Sequence, residues 1–463
     1  MFSRRGFIRI GAASVSTLAL RPFGLLPAMA QSGPDYRALV CVFLFGGNDS
    51  NNTVIPMDDA SYKAYTSTRG ILALTGSDLT PIVNSVSGAP YAFHAKLSEV
   101  ASLFSSKELA VVANVGSLVQ PLTRAEYLAQ QTPVPHNLFS HADQQLQWQS
   151  SIAQGNASTG WAGRAADYIL AQKINSGTLP AFLSVAGNIL QGTGVETQSV
   201  ELAPGQSLQL TGFNGTQASQ ERLSALTSLL TLNSGVSLVQ AANDTLSNSI
   251  QDATALGSAL SKASPLKTQF PKTSIGAQLQ QVAQIIQVQA ALGMRRQIFF
   301  CSLGGFDTHT NEIATHNTLY PQVSPALAAF YDATQELNMA ENVTTFTESD
   351  FSRTLQPTSG LGSDHAWGSH HLVLGGAVQG GQIYGKFPTF ELAGPDDADT
   401  RGRWIPTTSI DQYGATLCSW FGIPDSALSS VFPNFANFGS KQLGFLGKAA
   451  VETRTGRPRA PRA

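Results

Sequence analysis

The stretch Ala38–Phe45 (ALVCVFLF) is an unbroken apolar run, and Gly46–Asp49 (GGND) follows it directly. A strand that is buried on both faces has this continuous apolar pattern, because neither face meets water. The two glycines then end the strand and lead into polar side chains. The stretch therefore predicts a central strand of an α/β protein, with a polar loop at its carboxyl end.

Four further apolar runs predict strands of the same kind, at Leu109–Val115, Phe182–Ala186, Gln297–Leu303 and Val343–Thr347. Within Ile275–Val288, apolar residues recur with the period of a helix. Strands that alternate with helices predict right-handed crossovers between neighbouring strands. We therefore expect an α/β fold with a mostly parallel sheet that helices cover on both faces.

The amino terminus has the three parts of an export signal. Ser3–Arg9 contains an arginine pair, Ile10–Leu20 is apolar, and Ala28–Ala30 has a small residue at each end. The apolar part is too short to span a bilayer comfortably. We expect residues 1–30 to be a twin-arginine signal peptide, the twin-arginine export machinery to be a partner, and the mature protein to be periplasmic or otherwise exported. The alternative is an accidental arginine pair before a buried helix.

The remaining chain is long enough for one large domain or two, and we predict a single α/β domain over residues 31–447. Within it, residues 200–272 are rich in Ser, Leu, Ala, Asn and Gln and predict a helical insertion. The basic segment 448–463 predicts a disordered tail. The net charge of -2 gives no electrostatic case for nucleic acid or membrane binding. The 3 cysteines are too few for a disulfide framework, and we expect them to be small buried hydrophobes.

Polar, glycine-flanked clusters follow three of the predicted strands, and a fourth lies shortly beyond the last of them. They are Gly46–Asn52, Gly304–His309, Glu348–Arg353 and Gly362–His371. The carboxyl ends of parallel strands meet at one edge of a sheet, where function gathers. Aspartate oxygens and neutral histidine nitrogens suit Zn²⁺ or Mn²⁺, and an all-oxygen set would favour Mg²⁺ or Ca²⁺. The clusters therefore predict a divalent metal site.

Each cluster also has a structural alternative. Asp49 could form an Asx-turn or cap a helix, and Asp307 and His309 could be a turn and an exposed histidine. Three of the 8 histidines fall within residues 365–371, in a glycine-flanked loop, and we expect at least one to be a ligand or a catalytic group. Because they follow strands or glycine turns at one sheet edge, we predict that Asp49, Asp307 and His365 come together in space.

Short motifs with a shared resemblance run from the leader to about residue 430. Besides the twin-arginine leader they are Phe45–Asp49, Tyr91–His94, Ser140–His141, Gly160–Arg164, Gly304–His309, Asp364–His371, Gly375–Ala377 and Ile405–Tyr413. Together they resemble a family of bacterial exported proteins called domain of unknown function 1501, which is related to the alkaline phosphatase–sulfatase superfamily. The resemblance implies an alkaline phosphatase-like fold with a divalent metal cofactor (Zn²⁺, Mn²⁺, Mg²⁺ or Ca²⁺).

The superfamily implies particular metal ligands. Its enzymes place an aspartate ligand at the end of the first strand, which Asp49 matches, and Asp and His ligands after two later strands. The candidates for the later ligands are Asp307, His309, Asp364, His365 and His370. The segment Phe346–Asp350 resembles the sulfatase strand end that delivers an Asp–His pair, so Asp350 is a further candidate. Two departures put a complete two-metal site in doubt: Phe351 stands where that histidine would be, and the Asp-x-His spacing is tighter than the Asp-x-x-x-His of alkaline phosphatases.

The resemblance also implies a nucleophile and cations for an oxyanion. Superfamily members use Ser, Thr or a modified Cys at a helix amino terminus, and Ser140 fits that place. The alternative for Ser140 is a plain N-cap serine. None of the cysteines lies in a sulfatase-type Cys-x-Pro-x-Arg sequence, so a formylglycine sulfatase is not expected. Arg164 and Arg353 could neutralise a bound oxyanion or could equally form structural ion pairs.

Two functional classes follow from these motifs. The first is an exported metal-dependent hydrolase-like protein that acts on phosphate or sulfate esters, with a small anionic ester as its substrate. The second is a non-catalytic exported binding or assembly protein that keeps the fold. The missing histidine after Asp350 favours the second class. The retained Asp49, Asp307 and histidine-rich loop favour the first, which is our working hypothesis.

Overall fold

The structure is a computed structural model that describes residues 35–205, 215–232, 235–439 and 442–447. The predicted signal peptide (residues 1–30) and the predicted tail (residues 448–463) lie outside the described residues. Among the described residues, no helix is both long and apolar enough to cross a membrane.

Strands and helices alternate along much of the chain, which confirms the α/β class. The strands are β1 (Arg37–Leu44), β2 (Val54–Pro56), β3 (Leu79–Val83), β4 (Pro90–His94), β5 (Leu109–Gly116), β6 (Phe182–Ser184), β7 (Val200–Glu201), β8 (Arg296–Leu303), β9 (Val343–Ser349), β10 (Ser369–Leu374), β11 (Ile383–Tyr384) and β12 (Thr408–Ser409). The helices are α1 (Asp59–Arg69), α2 (Ser98–Ser105), α3 (Arg124–Ala129), α4 (His141–Ser150), α5 (Trp161–Ala171), α6 (Gln217–Leu230), α7 (Ser237–Leu260), α8 (Ser274–Gln287), α9 (Glu312–Glu336), α10 (Ile410–Phe421) and α11 (Leu428–Val431).

The large sheet has 9 strands in the order β11-β5-β10-β9-β1-β8-β6-β7, with β12 paired to β5, and the small sheet is β2-β4-β3. β1 lies between β8 and β9 and is parallel to both. β10 is antiparallel to both of its neighbours, β9 and β5. The sheet is therefore mixed, and the expectation of a mostly parallel sheet was wrong. The chain leaves the sheet after β9, makes a long loop, and re-enters at the same end of the sheet, so that β10 runs back antiparallel to β9.

Alternate residues of β1 face two different hydrophobic layers, so the strand is buried on both sides as its sequence predicts. Val40 and Val42 contribute to a layer with α2, α8 and α9. Cys41 and Phe43 contribute to a layer with α5, α10 and α11. All three cysteines are free and buried, as expected. The two layers hold β1, β8 and β9 side by side and bring their carboxyl-terminal loops to one edge.

Residues 200–272 contain the helices α6 and α7. Most residues of both helices are exposed, and among the described ones only Ser219, Leu230, Asp252 and Leu256 are buried. The segment is helical, as its composition predicts. Its status as an insertion, and the single-domain boundaries, stay predictions.

Candidate metal centre

Three loops meet at the edge where β1, β8 and β9 end. Gly46, with φ of +113°, lies so close to the next loop that a Cβ there would clash with the backbone nitrogen of Asp307. Gly362 lies equally close to the carbonyl group of His309. Only glycine permits the close approach at both positions, and at Gly46 it also permits the positive φ. The glycines of the sequence motifs therefore let the loops that carry the polar side chains come into contact.

Three imidazoles converge on one carboxylate oxygen at this edge. The Nε2 atoms of His141, His309 and His365 lie 3.4, 3.1 and 3.5 Å from Oδ1 of Asp307. The Nε2 atoms of His309 and His365 lie 2.8 Å from each other. Three nitrogens and one carboxylate oxygen form a donor set that Zn²⁺ commonly takes in proteins. We call these four residues the Asp307 centre.

The second ring nitrogen of each histidine lies next to a hydrogen-bond acceptor. Nδ1 of His141 donates to Asp350 at 2.6 Å, and Nδ1 of His365 donates to the carbonyl oxygen of Phe139 at 2.7 Å. Nδ1 of His309 lies 3.3 Å from Oδ1 of Asp364. Metal-binding histidines are held in this way, because a proton on Nδ1 leaves the Nε2 lone pair free for the ion.

The protonation tendencies at the Asp307 centre are mixed, because the hydrogen bond with Asp350 raises the pKa of His141. Burial raises the pKa of Asp307, but Arg353 and the neighbouring histidines outweigh it, so this pKa lies below its ordinary value. Burial lowers the pKa of His365, which keeps its ring neutral. Nε2 of His141 is buried and has no hydrogen-bond partner among the described residues. Lone pairs that face each other at these distances repel unless a cation or a shared proton lies between them, so the residues present fit a metal ion.

Asp350 lies behind His141 and orients it. Its carboxylate is fully buried and also accepts hydrogen bonds from the backbone N–H of Gly46 at 3.1 Å and from Gln145 at 2.7 Å. Phe351, which stands in the place of a histidine, has its ring 4.8 Å from the rings of both His141 and His365. His141 of α4 therefore lies beside both Asp350 and Phe351.

Two arginines hold the centre from outside. Arg353 is fully buried, forms an ion pair with Asp307 and donates to the carbonyl oxygens of Gly46, Gly47 and Ser363. Arg401 forms an ion pair with Asp364, the neighbour of His309. The Arg353 guanidinium therefore ties the three loops together, which is the structural alternative that its sequence left open.

Asp49 belongs to a different, buried group. Its carboxylate forms an ion pair with Arg69 and accepts a hydrogen bond from the backbone N–H of Asn51 at 3.1 Å, the geometry of an Asx-turn. The neighbouring ligand-type groups are Glu312 and His316 of α9. Asp49 therefore belongs to a separate group of ligand-type residues from the one at Asp307, and its carboxylate is paired with Arg69.

Two other predicted site residues, Ser140 and Arg164, make structural contacts. Ser140 is the N-cap of α4, and its hydroxyl donates to Asp143 at 2.6 Å. Arg164 donates to the carbonyl oxygens of Ser150, Thr159 and Val431, and burial lowers its pKa to about 10.

His370 lies on strand β10 and not in a loop, which corrects the expectation of a histidine-rich loop. Its Nδ1 accepts a hydrogen bond from the backbone N–H of Asn114 at 3.0 Å, and its ring lies against Phe387. His371 is the next residue and faces the other side of the sheet, against Trp148. Burial lowers the pKa of both histidines to about 3, so both are neutral.

Sequence reasoning missed the role of His141 and the whole group of Arg69, Glu312 and His316. His141 stood inside a recognised motif, but its neighbour Ser140 had the clearer chemical role. Glu312 and His316 are one helical turn apart on α9, a spacing that places both on one helix face. That spacing is the only local signal, and it is common in helices without a site.

The chain was compared with known proteins and protein families. No curated protein matches the chain. Among solved structures, the chain is similar to the PsFucS1 sulfatase from Pseudoalteromonas sp., with 9% identity, coverage of 82% of this chain and 68% of that chain, and a TM-score of 0.30. The chain is also similar to the phosphonate monoester hydrolase of Agrobacterium radiobacter, with 10% identity, coverage of 84% of this chain and 74% of that chain, and a TM-score of 0.31. A third similar structure is the C-terminal periplasmic domain of EcEptC from Escherichia coli, in complex with Zn. Its identity is 10%, the match covers 74% of this chain and 74% of that chain, and the TM-score is 0.27.

Likenesses at these scores carry no argument about activity. The family comparison is decisive for membership, because it spans most of the chain and includes the loops that carry Asp49, Asp307 and His365. The sequence model described as "Protein of unknown function (DUF1501)" matches residues 36–398, and the chain belongs to that family, as its motifs predicted.

Proposed function

We propose that this protein is an exported metal-dependent hydrolase that acts on small phosphate or sulfate esters at the Asp307 centre. One observation carries the proposal: three Nε2 atoms converge on one carboxylate oxygen, with an acceptor beside each Nδ1. Three imidazole nitrogens and one carboxylate form a donor set that suits Zn²⁺, with Mn²⁺ as the next choice, and Arg353 pairs with the same carboxylate.

The centre is open to solvent. The side chains of Asp307 and His309 are 49% and 44% exposed, whereas Asp350 behind them is fully buried. When bound, the ion would supply positive charge to the oxygens of an ester. The protein itself fixes the ligands: Asp350, Asp364 and the Phe139 carbonyl hold the imidazoles, and Arg353 holds Asp307.

Metal analysis and an ester assay test the proposal. The purified protein is expected to bind one equivalent of Zn²⁺ or Mn²⁺ at the Asp307 centre and to turn over aryl phosphate mono- or diesters or aryl sulfates. His309→Ala removes a ligand and should abolish both the bound ion and the turnover. His136→Ala is the matched control, because the His136 ring is exposed and accepts a hydrogen bond from the backbone N–H of Gly155, away from the Asp307 centre. A His309→Ala variant that retains the ion would contradict the proposed ligand set.

Export is tested separately. Arg4→Lys combined with Arg5→Lys should leave the protein in the cytoplasm with its leader attached, because both arginines belong to the proposed signal. Normal export of the double variant would contradict the proposed twin-arginine signal.

A second candidate, an exported metal-binding protein without ester chemistry, is favoured by one observation. The groups predicted to act on an ester are already engaged: Ser140 caps α4, and Arg164 and Arg353 are saturated by carbonyl oxygens. Ser140→Ala separates the candidates. Loss of turnover with the ion retained supports Ser140 as the nucleophile. Turnover that survives excludes it, and a bound ion without any turnover in the unmutated protein favours the second candidate.

A further inference from the structure

Beneath the Asp307 centre lies a buried group formed by Asp49, Arg69, Glu312 and His316, each with no exposed surface. Arg69 forms ion pairs with both carboxylates. Its remaining nitrogens donate to Asn52, at 3.3 Å, and to backbone carbonyl oxygens of the loop after β9. We call these four residues the Arg69 group.

The three other members of the Arg69 group have the donors of a metal site. One ligand atom each from Asp49, Glu312 and His316 lies within 4.8 Å of the other two. Both ring nitrogens of His316 are buried, and neither has a hydrogen-bond partner among the described residues. A buried polar atom without a partner is unfavourable, so an imidazole in this state beside two carboxylates points to a ligand role. Two carboxylates and one imidazole suit Zn²⁺ or Mn²⁺.

The Arg69 side chain lies where such an ion would bind. Two buried carboxylates this close to each other require a cation, and the guanidinium of Arg69 contacts both. A divalent ion would place its charge at the same point, between the same oxygens. The residues present therefore do not fit a metal ion as long as Arg69 is there.

We propose that Arg69 is a built-in cation that fills a latent metal site, so that the native Arg69 group binds no ion. Removing the guanidinium turns Asp49, Glu312 and His316 into a site for Zn²⁺ or Mn²⁺. The proposal does not depend on ester hydrolysis or on an ion at the Asp307 centre, because it concerns the difference between a variant and the unmutated protein.

The cation of the Arg69 group also acts on the loops above it. Glu312, which Arg69 holds, accepts hydrogen bonds from Thr308, at 3.0 Å, and from Ser363. Thr308 lies between Asp307 and His309 in the chain, and Ser363 is two residues before His365. Any cation that fixes the Glu312 carboxylate therefore fixes both ligand-bearing loops, so a metal ion could replace Arg69 in that role.

The test is metal analysis after dialysis against Mn²⁺ or Zn²⁺. Arg69→Ala is expected to bind one equivalent more than the unmutated protein. Arg69→Ala combined with His316→Leu should lose that extra equivalent, and Arg69→Lys, which keeps a cation, should not gain it. His316 makes no contact with the Asp307 centre, so the double variant leaves the ligands there in place. If the unmutated protein binds no ion, the proposed function fails, but the expected difference of one equivalent still stands.

Folding behaviour gives a second readout. If Arg69→Ala is unfolded alone, it should fold when Mn²⁺, Zn²⁺ or methylguanidinium is added, because each returns a cation to the group. A folded Arg69→Ala protein with unchanged metal content would overturn the proposal. A variant that none of these cations restores would overturn it as well.

Discussion

The Asp307 centre and the Arg69 group both combine carboxylates with imidazoles and both have an arginine ion pair, but they differ in how the arginine is placed. At the Asp307 centre three imidazoles surround a half-exposed carboxylate, and their Nε2 atoms face it. In the Arg69 group a guanidinium lies between two fully buried carboxylates. Arg69 pairs with both carboxylates of its group and takes the place of an ion, whereas Arg353 pairs with Asp307 and leaves three Nε2 atoms facing the same carboxylate.

The pKa values of Asp49 and Glu312 show how strongly the burial of the Arg69 group and its guanidinium oppose each other. Burial raises the pKa of Asp49 to about 8, and the nearby Glu312 carboxylate adds to this although Arg69 opposes it. Burial alone would also raise the pKa of Glu312, but Arg69 brings it below its ordinary value.

The largest effect is expected from breaking the Arg69 group. With a chelator present, Arg69→Ala should lower the free energy of unfolding by about 3–5 kcal/mol, because it leaves a buried charge without its partner. Urea titration measures this. Arg164→Ala is the matched control, since Arg164 is a mostly buried arginine that contacts no carboxylate. An equal loss in both variants would show that the ion pairs with Asp49 and Glu312 are not the reason.

The Asp307 centre should respond through its metal affinity. Asp350→Asn is expected to weaken Zn²⁺ binding about 10- to 100-fold, because the amide is a poorer acceptor for Nδ1–H of His141 than a carboxylate is. Competition with a chromogenic chelator measures the affinity. Asp143→Asn, an acid on the same helix that contacts Ser140 and Asn137, is the control and should leave the affinity unchanged. Unchanged affinity in Asp350→Asn would remove Asp350 from its orienting role.

Glu348 is a buried acid that pairs with no cation among the described residues, and it can be compared with the acids of the Arg69 group. Glu348 contacts Cys41 and Gln191, and burial raises its pKa to about 8. Its folded-state pKa lies above the unfolded value of 4.5, so the folded protein holds a proton that the unfolded chain releases. Stability should therefore fall as the pH rises from about 5 to 8, by at most about 1.4 kcal/mol per pH unit.

Glu348→Gln should flatten this slope and raise the free energy of unfolding at pH 8, as measured by urea titration over a pH series. Glu312→Gln, in which the altered acid is paired with Arg69, should instead destabilise the protein throughout. A slope that persists unchanged in Glu348→Gln would assign it to another group.

The smallest effect concerns the helix that carries His141. Ser140→Ala should cost about 1 kcal/mol of stability through loss of the N-cap and should leave the metal content unchanged. Thermal unfolding and metal analysis together check this. A loss of metal without a loss of stability would mean that Ser140 acts on the Asp307 centre and not only on the helix.

Local pattern predicted much of the sheet. The apolar run of β1, and those of β5, β8 and β9, were located to within two residues, because a strand buried on both faces is apolar throughout. The direction of β10 was not predictable in this way. An antiparallel strand and a parallel strand of six buried residues have the same composition, and only the path of the chain between residues 350 and 368 decides the direction.

For the site, the sequence by itself determined the loops and three of the four proposed ligands, Asp307, His309 and His365. Glycine-flanked polar residues after β8 and β9 have to lie at the edge where those strands end. Tertiary structure alone decided that His141 joins them, that Asp350 and Asp364 stand behind the imidazoles, and that Asp49 pairs with Arg69. The physical reason is that a hydrogen bond or ion pair forms only between groups about 3 Å apart in space. The partners of Asp49 and Asp350 are 20 and 209 positions away in the chain, so local sequence does not reveal them.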